Sequence, residues 1–410
     1  FFHAQPSVDE GQAPIIFRES SRPELRIILK RGIGMSRRHW VGVRAAVAAL
    51  CAGATLVAQA WTVGQVAPLS GAEAIQGRAY AQGMKLYFDQ VNKAGGVQGQ
   101  PVELAVLDDL GHPDETVSKT RQLLTQSKPV VLAGYFGNRN LSALLDSKAL
   151  DGTGLSVVGY QSTDIRVQAS SYMFATRAGL VEQVAKISTH LATVGITRLA
   201  LVFEERPDAQ ALSEQVTKSV ATSGAKLVTT AIVHGKNGFD KAVQSIEDSK
   251  ASPQAILVVA SSAATAGFVE AYRLGGGTAQ VYATAEADIE QLAKRLPVEY
   301  MKGLSIAQVV PNPYKVSGKL NKEFRDAVAQ AGKSVEVPVS FAMMEGYVNA
   351  KVITEAMRRS QPVTPEKVSA ALRSLDTLDL GGYWVSFKPG QVGSKYVDLS
   401  IVSASGRVKQ

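Results

Sequence analysis

The sequence predicts an α/β fold made of two doubly wound parallel-sheet lobes joined by a hinge of several strands. Short apolar runs alternate with amphipathic helical segments from Trp61 to about residue 295. This alternation is typical of parallel strands covered by helices on both faces. It occurs twice, at 61–175 and 197–295. Without its first 60 residues the chain has about 350 residues, a length that favours two domains.

The candidate strands are continuous apolar runs, and the candidate helices have apolar residues at every third or fourth position. The strands are Thr62–Ala67, Val102–Asp108, Pro129–Ala133, Leu155–Gly159, Arg198–Phe203, Lys226–Val233, Ala255–Ala260 and Gln280–Thr284. The helices between them are Gly77–Lys93, Val181–Val194, Ala209–Thr222, Phe239–Asp248 and Ala263–Leu274. Gly95-Gly96 supplies the stop of the first helix.

The C-terminal part belongs to neither run of strands. Helices are predicted at Tyr314–Gln330, Ser340–Arg359 and Pro365–Ser374, and β-rich sequence at Tyr383–Phe387 and Lys395–Val402. We expect this part to return between the lobes. The first lobe is then 61–179 plus about 310–386, and the second is 180–309 plus about 387–410. Ligands bind open α/β sheets at the carboxyl ends of the strands, so a cleft is expected there.

Residues 35–60 have the three parts of a cleavable export signal. The basic part runs from Arg37 to Arg44, residues 45–57 are apolar, and residues 58–60 place small side chains where signal peptidase cuts. The apolar part has 13 residues, fewer than the roughly 20 that a membrane span needs. We therefore predict that the mature chain begins at or near Trp61 and is exported.

Other interpretations of the N-terminal region stay open. The segment 35–60 is also compatible with a retained membrane anchor or, more loosely, with a twin-arginine signal. Cys51 is a candidate lipidation site, although Leu50 precedes it where that chemistry prefers a small residue. Residues 1–34 show no sustained periodicity. We interpret them as an upstream extension that is disordered or not translated.

The charge of the chain does not indicate a nucleic-acid binding protein. The formal charge is +8, and removing the eight basic and four acidic residues of positions 1–60 leaves +4. Spread over the mature chain, this charge forms no basic footprint, and no run of five like charges is present. With 45% hydrophobic and 20% charged residues the chain has the composition of an ordinary globular protein.

Motifs of the common enzyme classes are missing. The sequence contains no HExxH and no G-x-S-x-G. The single cysteine, Cys51, lies in the export signal, so the mature chain has no disulfide, thiol nucleophile or cysteine metal site. The five histidines are scattered. We expect a protein that is not an enzyme, with no cofactor and no metal site.

Polar loops after the strands supply the candidate ligand contacts. The loop 67–77, with Ser70, feeds a helix start and offers unpaired N–H groups to an anion. The next loops carry hydroxyl, amide and aromatic groups suited to a small zwitterion or carboxylate: Asn138, Arg139, Tyr160 and Ser162. In the second run the loops contain Asp208, Ser262 and Glu286, and the carboxylates of Asp208 and Glu286 suit a ligand ammonium. For each residue a solvent-exposed side chain or a helix cap is the alternative.

Three segments together resemble the leucine/isoleucine/valine-binding proteins, the type I periplasmic solute receptors of ABC importers. These are Val63–Gly71, the helix stop Asn92–Val97, and Leu107-Asp108-Asp109 with a helix following. The resemblance covers residues 61–405. It implies a two-lobed receptor in the periplasm that closes on a small ligand about a hinge and delivers it to a membrane permease. We expect it to be a monomer.

The resemblance also implies positions for the ligand contacts. In this family the α-carboxylate and amine are held mostly by the first lobe, at positions that correspond to Asn138, Tyr160 and Ser162, with a contribution around Gln76. The second lobe departs from the family pattern: a tyrosine of branched-chain amino-acid receptors corresponds to Asp208. A second tyrosine corresponds roughly to Ser261 or Ser262, and the glutamate that binds the amine falls on Ala285, with Glu286 beside it. The resemblance therefore implies an amino acid or small organic acid other than a branched-chain amino acid.

Two other classes of function remain as alternatives. A sensory ligand-binding domain shares this fold, and a neighbouring gene for a regulator rather than a permease would favour it. An exported α/β enzyme would need a nucleophile or a metal cluster, and turnover of a bound ligand would reveal it.

Overall fold

The computed structural model describes residues 60–235, 238–388, 393–402 and 408–409. The predicted extension (1–34) and export signal (35–60) lie outside these residues, except for Ala60. All described residues belong to one compact unit. It contains two large sheets and a short two-stranded hairpin.

The first sheet has five parallel strands in the order β2-β1-β3-β4-β5. Its strands are β1 (Trp61–Ala67), β2 (Val102–Asp108), β3 (Val131–Ala133), β4 (Val157–Val158) and β5 (Met173–Phe174). The helices that alternate with them are α1 (Ala74–Lys93), α2 (Pro113–Gln126), α3 (Asn138–Asp146) and α4 (Ile165–Ala169). The order reverses at β1 and β3, which makes the carboxyl ends of these strands the expected place for a ligand.

The second sheet has seven strands in the order β14-β13-β10-β9-β8-β6-β7. They are β6 (Arg198–Glu204), β7 (Lys226–Val233), β8 (Ala255–Val259), β9 (Gln280–Ala283), β10 (Leu304–Gln308), β13 (Asp398–Val402) and β14 (Val408–Lys409). The helices are α5 (Leu180–Thr193), α6 (Ala209–Ala221), α7 (Phe239–Glu247), α8 (Ser262–Leu274), α9 (Ile289–Arg295) and α10 (Val298–Met301). Strands β6 to β10 are parallel, and β8 is buried along its whole length. The last two strands add antiparallel to the edge.

The C-terminal helices pack on the first sheet. They are α11 (Lys319–Ala331), α12 (Phe341–Arg359) and α13 (Pro365–Ser374), with a 3₁₀ turn at Gly332–Ser334 and a hairpin of β11 (Leu378–Asp379) and β12 (Trp384–Val385). Helix α12 lies against α1, and two glycines permit the close approach. A Cβ at Gly83 would lie 1.9 Å from the Met343 carbonyl oxygen, and one at Gly346 would lie 2.0 Å from that of Tyr80.

The predicted fold class is confirmed. We call the five-stranded sheet with α1–α4 and α11–α13 the first lobe, and the seven-stranded sheet with α5–α10 the second lobe. The boundaries of the two domains stay a prediction. The chain passes from β5 to α5 through residues 175–179 and from β10 toward α11 through residues 309–318.

Some predicted elements are wrong in detail. Helix α1 begins at Ala74 rather than at Gly77, so Gln76 lies in its first turn. The helix predicted from Tyr314 begins at Lys319, because Gly318 has an extended backbone (φ −167°) and precedes the helix. Strands β5 and β10 were not predicted. No helix within the described part of the chain combines the length and the apolar composition that crossing a bilayer requires.

Candidate functional site

Loops from both lobes meet at the carboxyl ends of the strands. Asn138 begins α3, which follows β3, and Ser162 follows β4 in the first lobe. Glu286 follows β9 in the second lobe. The Asn138 amide Nδ2 donates a hydrogen bond of 2.8 Å to Glu286 Oε1. The two lobes are therefore in direct polar contact at the predicted site.

The Asn138 side chain is held by the loop after β4. Its Oδ1 accepts hydrogen bonds of 2.8 Å from the Ser162 hydroxyl and from the Thr163 backbone N–H. The Ser162 Oγ in turn accepts a 3.0 Å hydrogen bond from the Asp164 backbone N–H. The amide oxygen of Asn138 and the hydroxyl of Ser162 therefore have protein partners.

Thr163 connects two charged side chains of the second lobe. Its hydroxyl donates to Glu286 Oε1 at 3.0 Å and accepts from Arg206 Nη1 at 2.9 Å. Thr163 and Arg206 are both buried. We call Asn138, Thr163, Arg206 and Glu286 the inter-lobe bridge. Each of its hydrogen bonds between lobes includes a charged group, the kind of hydrogen bond that contributes most.

Arg206 also forms an ion pair within its own loop. Its Nε and Nη2 donate to the two carboxylate oxygens of Asp208, the latter over 2.9 Å. Burial disfavours the ionised form of both groups, but the pairing outweighs it: the pKa of Asp208 is lowered and that of Arg206 is raised. Both side chains therefore stay charged at neutral pH, and Asp208 is neutralised by Arg206.

A small cavity lies beside the inter-lobe bridge. It has room for a single water-sized molecule, about 20 Å³, and its lining includes Tyr160, Ser162, Arg177 and Glu286. The second oxygen of Glu286, Oε2, is buried and has no hydrogen-bond partner in the described part of the chain. A buried carboxylate oxygen without a donor is costly, so Oε2 favours a donor in the adjoining cavity, either a water molecule or a ligand group.

A buried polar chain runs behind the cavity. The Gln76 Nε2 donates to Gln161 Oε1 at 3.0 Å, and Gln161 Nε2 donates to Glu345 Oε2 at 3.2 Å. Arg177 Nη1 donates to the same carboxylate oxygen at 3.1 Å. Burial raises the pKa of Glu345, and Arg177 and Gln161 oppose that shift. Gln76 thus contacts the site through Gln161.

Two further glutamates join the lobes. Glu73, before α1, accepts hydrogen bonds from Gln291 Nε2 at 3.1 Å and from the Ala263 backbone N–H at 3.3 Å. Burial raises the pKa of Glu73, and the charge of Arg295 opposes part of that rise. Glu290 Oε1, on α9, accepts from the Phe341 backbone N–H at 3.2 Å, at the start of α12. These contacts flank the inter-lobe bridge.

Three predicted residues lie apart from these contacts. Arg139 is exposed, and no hydrogen bond or ion pair joins it to another described residue. Ser70 lies by Asp108, and hydrogen bonds from Leu69 and Ser70 help lower the pKa of this carboxyl despite its partial burial. Ser262 is buried, and its hydroxyl accepts from the Asp288 backbone N–H at 3.0 Å. Tyr160, by contrast, is buried and lines the cavity.

Residue-type reasoning missed Thr163, Arg206 and Arg177. Thr163 and Arg206 lie in the same loops as the predicted contacts Ser162 and Asp208. Which residue of such a loop contacts the other lobe depends on the direction of its side chain, which the sequence does not show. Arg177 lies in the segment between the lobes, where the sequence carries no ligand-binding signal. Within the described ranges, no group of three or more His, Cys, Asp or Glu side chains is arranged to hold a metal ion. The absence of a cofactor stays a prediction.

Known proteins share this fold over most of the chain. The substrate-binding periplasmic protein from Ralstonia solanacearum has 31% identity and a TM-score of 0.77, covering 85% of this chain and 99% of that one. A branched-chain amino acid transporter substrate binding protein from Streptococcus pneumoniae, solved with isoleucine, has 19% identity and a TM-score of 0.72, over 86% and 98%. At that identity the likeness shows the fold alone.

Sequence comparison identifies the family. Leu/Ile/Val-binding protein homolog 8 of Brucella abortus is 22% identical over 353 residues, 79% of this chain and 83% of the relative. Residues 60–405 match the model of the family described as periplasmic binding protein. The resemblance stated from the sequence is confirmed, and so is the prediction of a protein that is not an enzyme, because this is a family of solute-binding proteins. The chain belongs to the periplasmic binding protein family, type I.

Proposed function

We propose that this chain is the periplasmic receptor of an ABC importer and that it captures an amino acid by closing its two lobes. Glu286 binds the ammonium group of the ligand. The closed receptor, which we expect to be a monomer exported through its signal segment, then delivers the ligand to a membrane permease. The names of the relatives, among them a Leu/Ile/Val-binding protein homolog, support an amino acid as the ligand class.

One observation carries this proposal: the Glu286 carboxylate. Asn138 and Thr163 satisfy its Oε1, whereas Oε2 is buried without a partner in the described structure, and the residue lines the cavity between the lobes. Its hydrogen-bond donors are neutral, and none of the ion pairs formed by described residues includes it. Arg206 attracts Glu286 without a direct contact, and it is already paired with Asp208. An ammonium group supplies the missing donor and an opposite charge in direct contact.

Ligand entry requires the lobes to separate. The cavity, at about 20 Å³, holds about one water molecule, far less than an amino acid occupies. Hinge closure is the motion expected of such receptors, with a few residues at the ends of elements absorbing the change. The segments 175–179 and 309–318, which connect the lobes, are the candidate hinges. The predicted lobe boundary at about residues 386–387 implies a third crossing, which lies next to residues 389–392, outside the described part of the chain.

The ligand is expected to differ from a branched-chain amino acid. The resemblance implies tyrosines in the second lobe where this chain has the loop with Asp208 and the serines at 261 and 262. Here a buried Arg206–Asp208 ion pair reaches the first lobe through Thr163. An ion pair in place of aromatic rings favours a small or polar ligand side chain over Leu, Ile or Val.

Calorimetric titration of the purified protein with the twenty standard L-amino acids tests the proposal. At least one should bind, and Glu286→Gln should weaken its binding about ten- to a hundred-and-fifty-fold, the effect of losing a hydrogen bond to a charged group. The glutamine keeps an oxygen for Asn138 and Thr163. Glu205→Gln is the matched control, because Glu205 is exposed in the loop after β6.

The outcomes separate clearly. Equal binding by the parent and by Glu286→Gln would show that Glu286 does not bind an ammonium group, and it would favour a plain organic acid as the ligand. Failure of all twenty amino acids to bind the parent would reject the amino-acid ligand class. A smaller radius of gyration with ligand, measured by small-angle scattering, supports closure, and no change with a ligand proven to bind opposes it.

A further inference from the structure

The donors that remain for a ligand carboxylate are few. The Asn138 oxygen and the Ser162 hydroxyl are engaged with each other and with the backbone. Among the residues that line the cavity, Tyr160, Gln168 and Arg177 carry side-chain N–H or O–H groups with no acceptor in the described structure, and of these three only Arg177 is a cation. For Arg177 these are Nε and Nη2, because only Nη1 is hydrogen-bonded.

Arg177 is a buried residue on the segment that leaves the first sheet for α5. Its Nη1 donates to Glu345 Oε2 at 3.1 Å, and the same oxygen accepts from Gln161. A guanidinium has five N–H groups in a planar fork suited to bidentate carboxylate binding. Glu345 therefore occupies one nitrogen and leaves an edge of the guanidinium for a second carboxylate.

Arg177 and Glu286 line the same cavity but do not pair with each other. No ion pair within 4.0 Å joins them. Arg177 pairs with Glu345 instead, and Arg206 pairs with Asp208. A cavity that presents a cation and an anion separately is complementary to a zwitterion.

We propose that Arg177 binds the carboxylate of the amino-acid ligand whose ammonium group Glu286 binds. This inference rests on the proposed function and adds a contact that neither the loops nor the resemblance assigned. The Tyr160 hydroxyl, also in the cavity, is the second donor for that carboxylate. Because Arg177 lies on the segment between the lobes, the ligand contacts the hinge as well as both lobes.

The test compares an acid with its amide. Each of the twenty L-amino acids that binds the parent is titrated again as its 1-carboxamide, which keeps the ammonium group and removes the carboxylate charge. The parent should prefer the acid about ten- to a hundred-and-fifty-fold. In the double variant Arg177→Gln/Glu345→Gln the preference should fall below about threefold. Removing both charges avoids leaving Glu345 buried and unpaired.

Two controls keep the proposal falsifiable. Glu345→Gln alone frees the guanidinium and should keep or increase the preference for the acid. Arg177→Lys keeps the charge but loses the fork, so an intermediate preference is expected should the double variant not fold. The role of Arg177 is overturned if the double variant keeps the full preference for the acid, or if the parent shows no such preference. Neither result contradicts the binding of the ammonium group by Glu286. Binding of no amino acid by the parent instead rejects the proposed function, and this inference with it.

Discussion

Replacing Thr163 with valine tests whether the inter-lobe bridge stabilises the closed arrangement. Valine has the shape of threonine without the hydroxyl, so it removes the hydrogen bonds to Glu286 Oε1 (3.0 Å) and from Arg206 Nη1 (2.9 Å). The site is buried, with Thr163 only 4% exposed, and the adjoining cavity has room for about one water molecule, so bulk water does not restore both lost hydrogen bonds while the lobes are in contact. When the lobes separate, both charged groups regain water.

The cost therefore falls on the closed arrangement rather than on the folding of either lobe. A hydrogen bond to a charged group contributes about 1.5–3 kcal/mol, and two that share one hydroxyl are not additive. We take about 2 kcal/mol for the pair, which corresponds to about a 30-fold change in the equilibrium between closed and open lobes. Ligand affinity should fall by up to the same factor, since in the proposed liganded form the same bridge joins the lobes around a cavity widened by the ligand.

Small-angle scattering of the unliganded protein and calorimetric titration measure the two effects. Thr163→Val should increase the radius of gyration and weaken binding, whereas Thr163→Ser, which keeps the hydroxyl, should resemble the parent. Thr120→Val is the second control, because Thr120 is buried in α2 and its hydroxyl donates to the Thr116 carbonyl oxygen at 2.7 Å. It should lower the melting temperature alone. The reasoning is refuted if Thr163→Val also lowers only the melting temperature.

Three other predictions concern stability and the site. Burial and the nearby Glu290 raise the pKa of Asp288, so its contribution to stability is present below its unfolded pKa of about 3.9 and is lost as the pH rises through the folded value. Asp288→Asn should raise the melting temperature at pH 7.5 by about 2 °C and change little at pH 4. Gly346→Ala should destabilise by about 1–3 kcal/mol in denaturant titrations, because the new Cβ meets the Tyr80 carbonyl oxygen. Ser162→Ala should weaken ligand binding about tenfold by calorimetry, because Asn138 loses a 2.8 Å hydrogen bond, while the melting temperature stays within a few degrees.

The fold was predictable because its signal is local. Buried parallel strands such as β8 read as continuous apolar runs, and their bounds were predicted to within a residue or two. Strand β5 has only two residues, too few to show a period. Strand β10 depends on its pairing with β9 and with β13, a contact distant in sequence. The information that makes these segments strands lies in their neighbours.

The meeting of the predicted loops was foreseeable from the sequence, and the contacts that they form were less so. Loops at the carboxyl ends of strands share one edge of a sheet, which is why Asn138 and Ser162 come together. Glu286 follows a strand of the second sheet and meets them because the two lobes are in contact. Which neighbour in each loop reaches across depends on side-chain direction. Thr163 rather than Ser162 bonds to the second lobe. From the second lobe Arg206 reaches Thr163, and the Asp208 carboxylate interacts with the backbone N–H of Ile165. Arg177 reaches the cavity from a connecting segment, which strand-end reasoning does not consider.

The Arg206–Asp208 pair explains why family membership alone does not identify the ligand. A fold positions a cleft, and the residues in it decide what binds there. Removing a buried ion pair from water is costly, and the pair persists because each partner neutralises the other. An apolar ligand side chain packed against Arg206 and Asp208 would displace the water that hydrogen-bonds to the ion pair. It could not form those hydrogen bonds itself, whereas a polar ligand side chain could. Under the proposed function we therefore expect the second lobe to disfavour Leu, Ile and Val relative to ligands with a polar side chain.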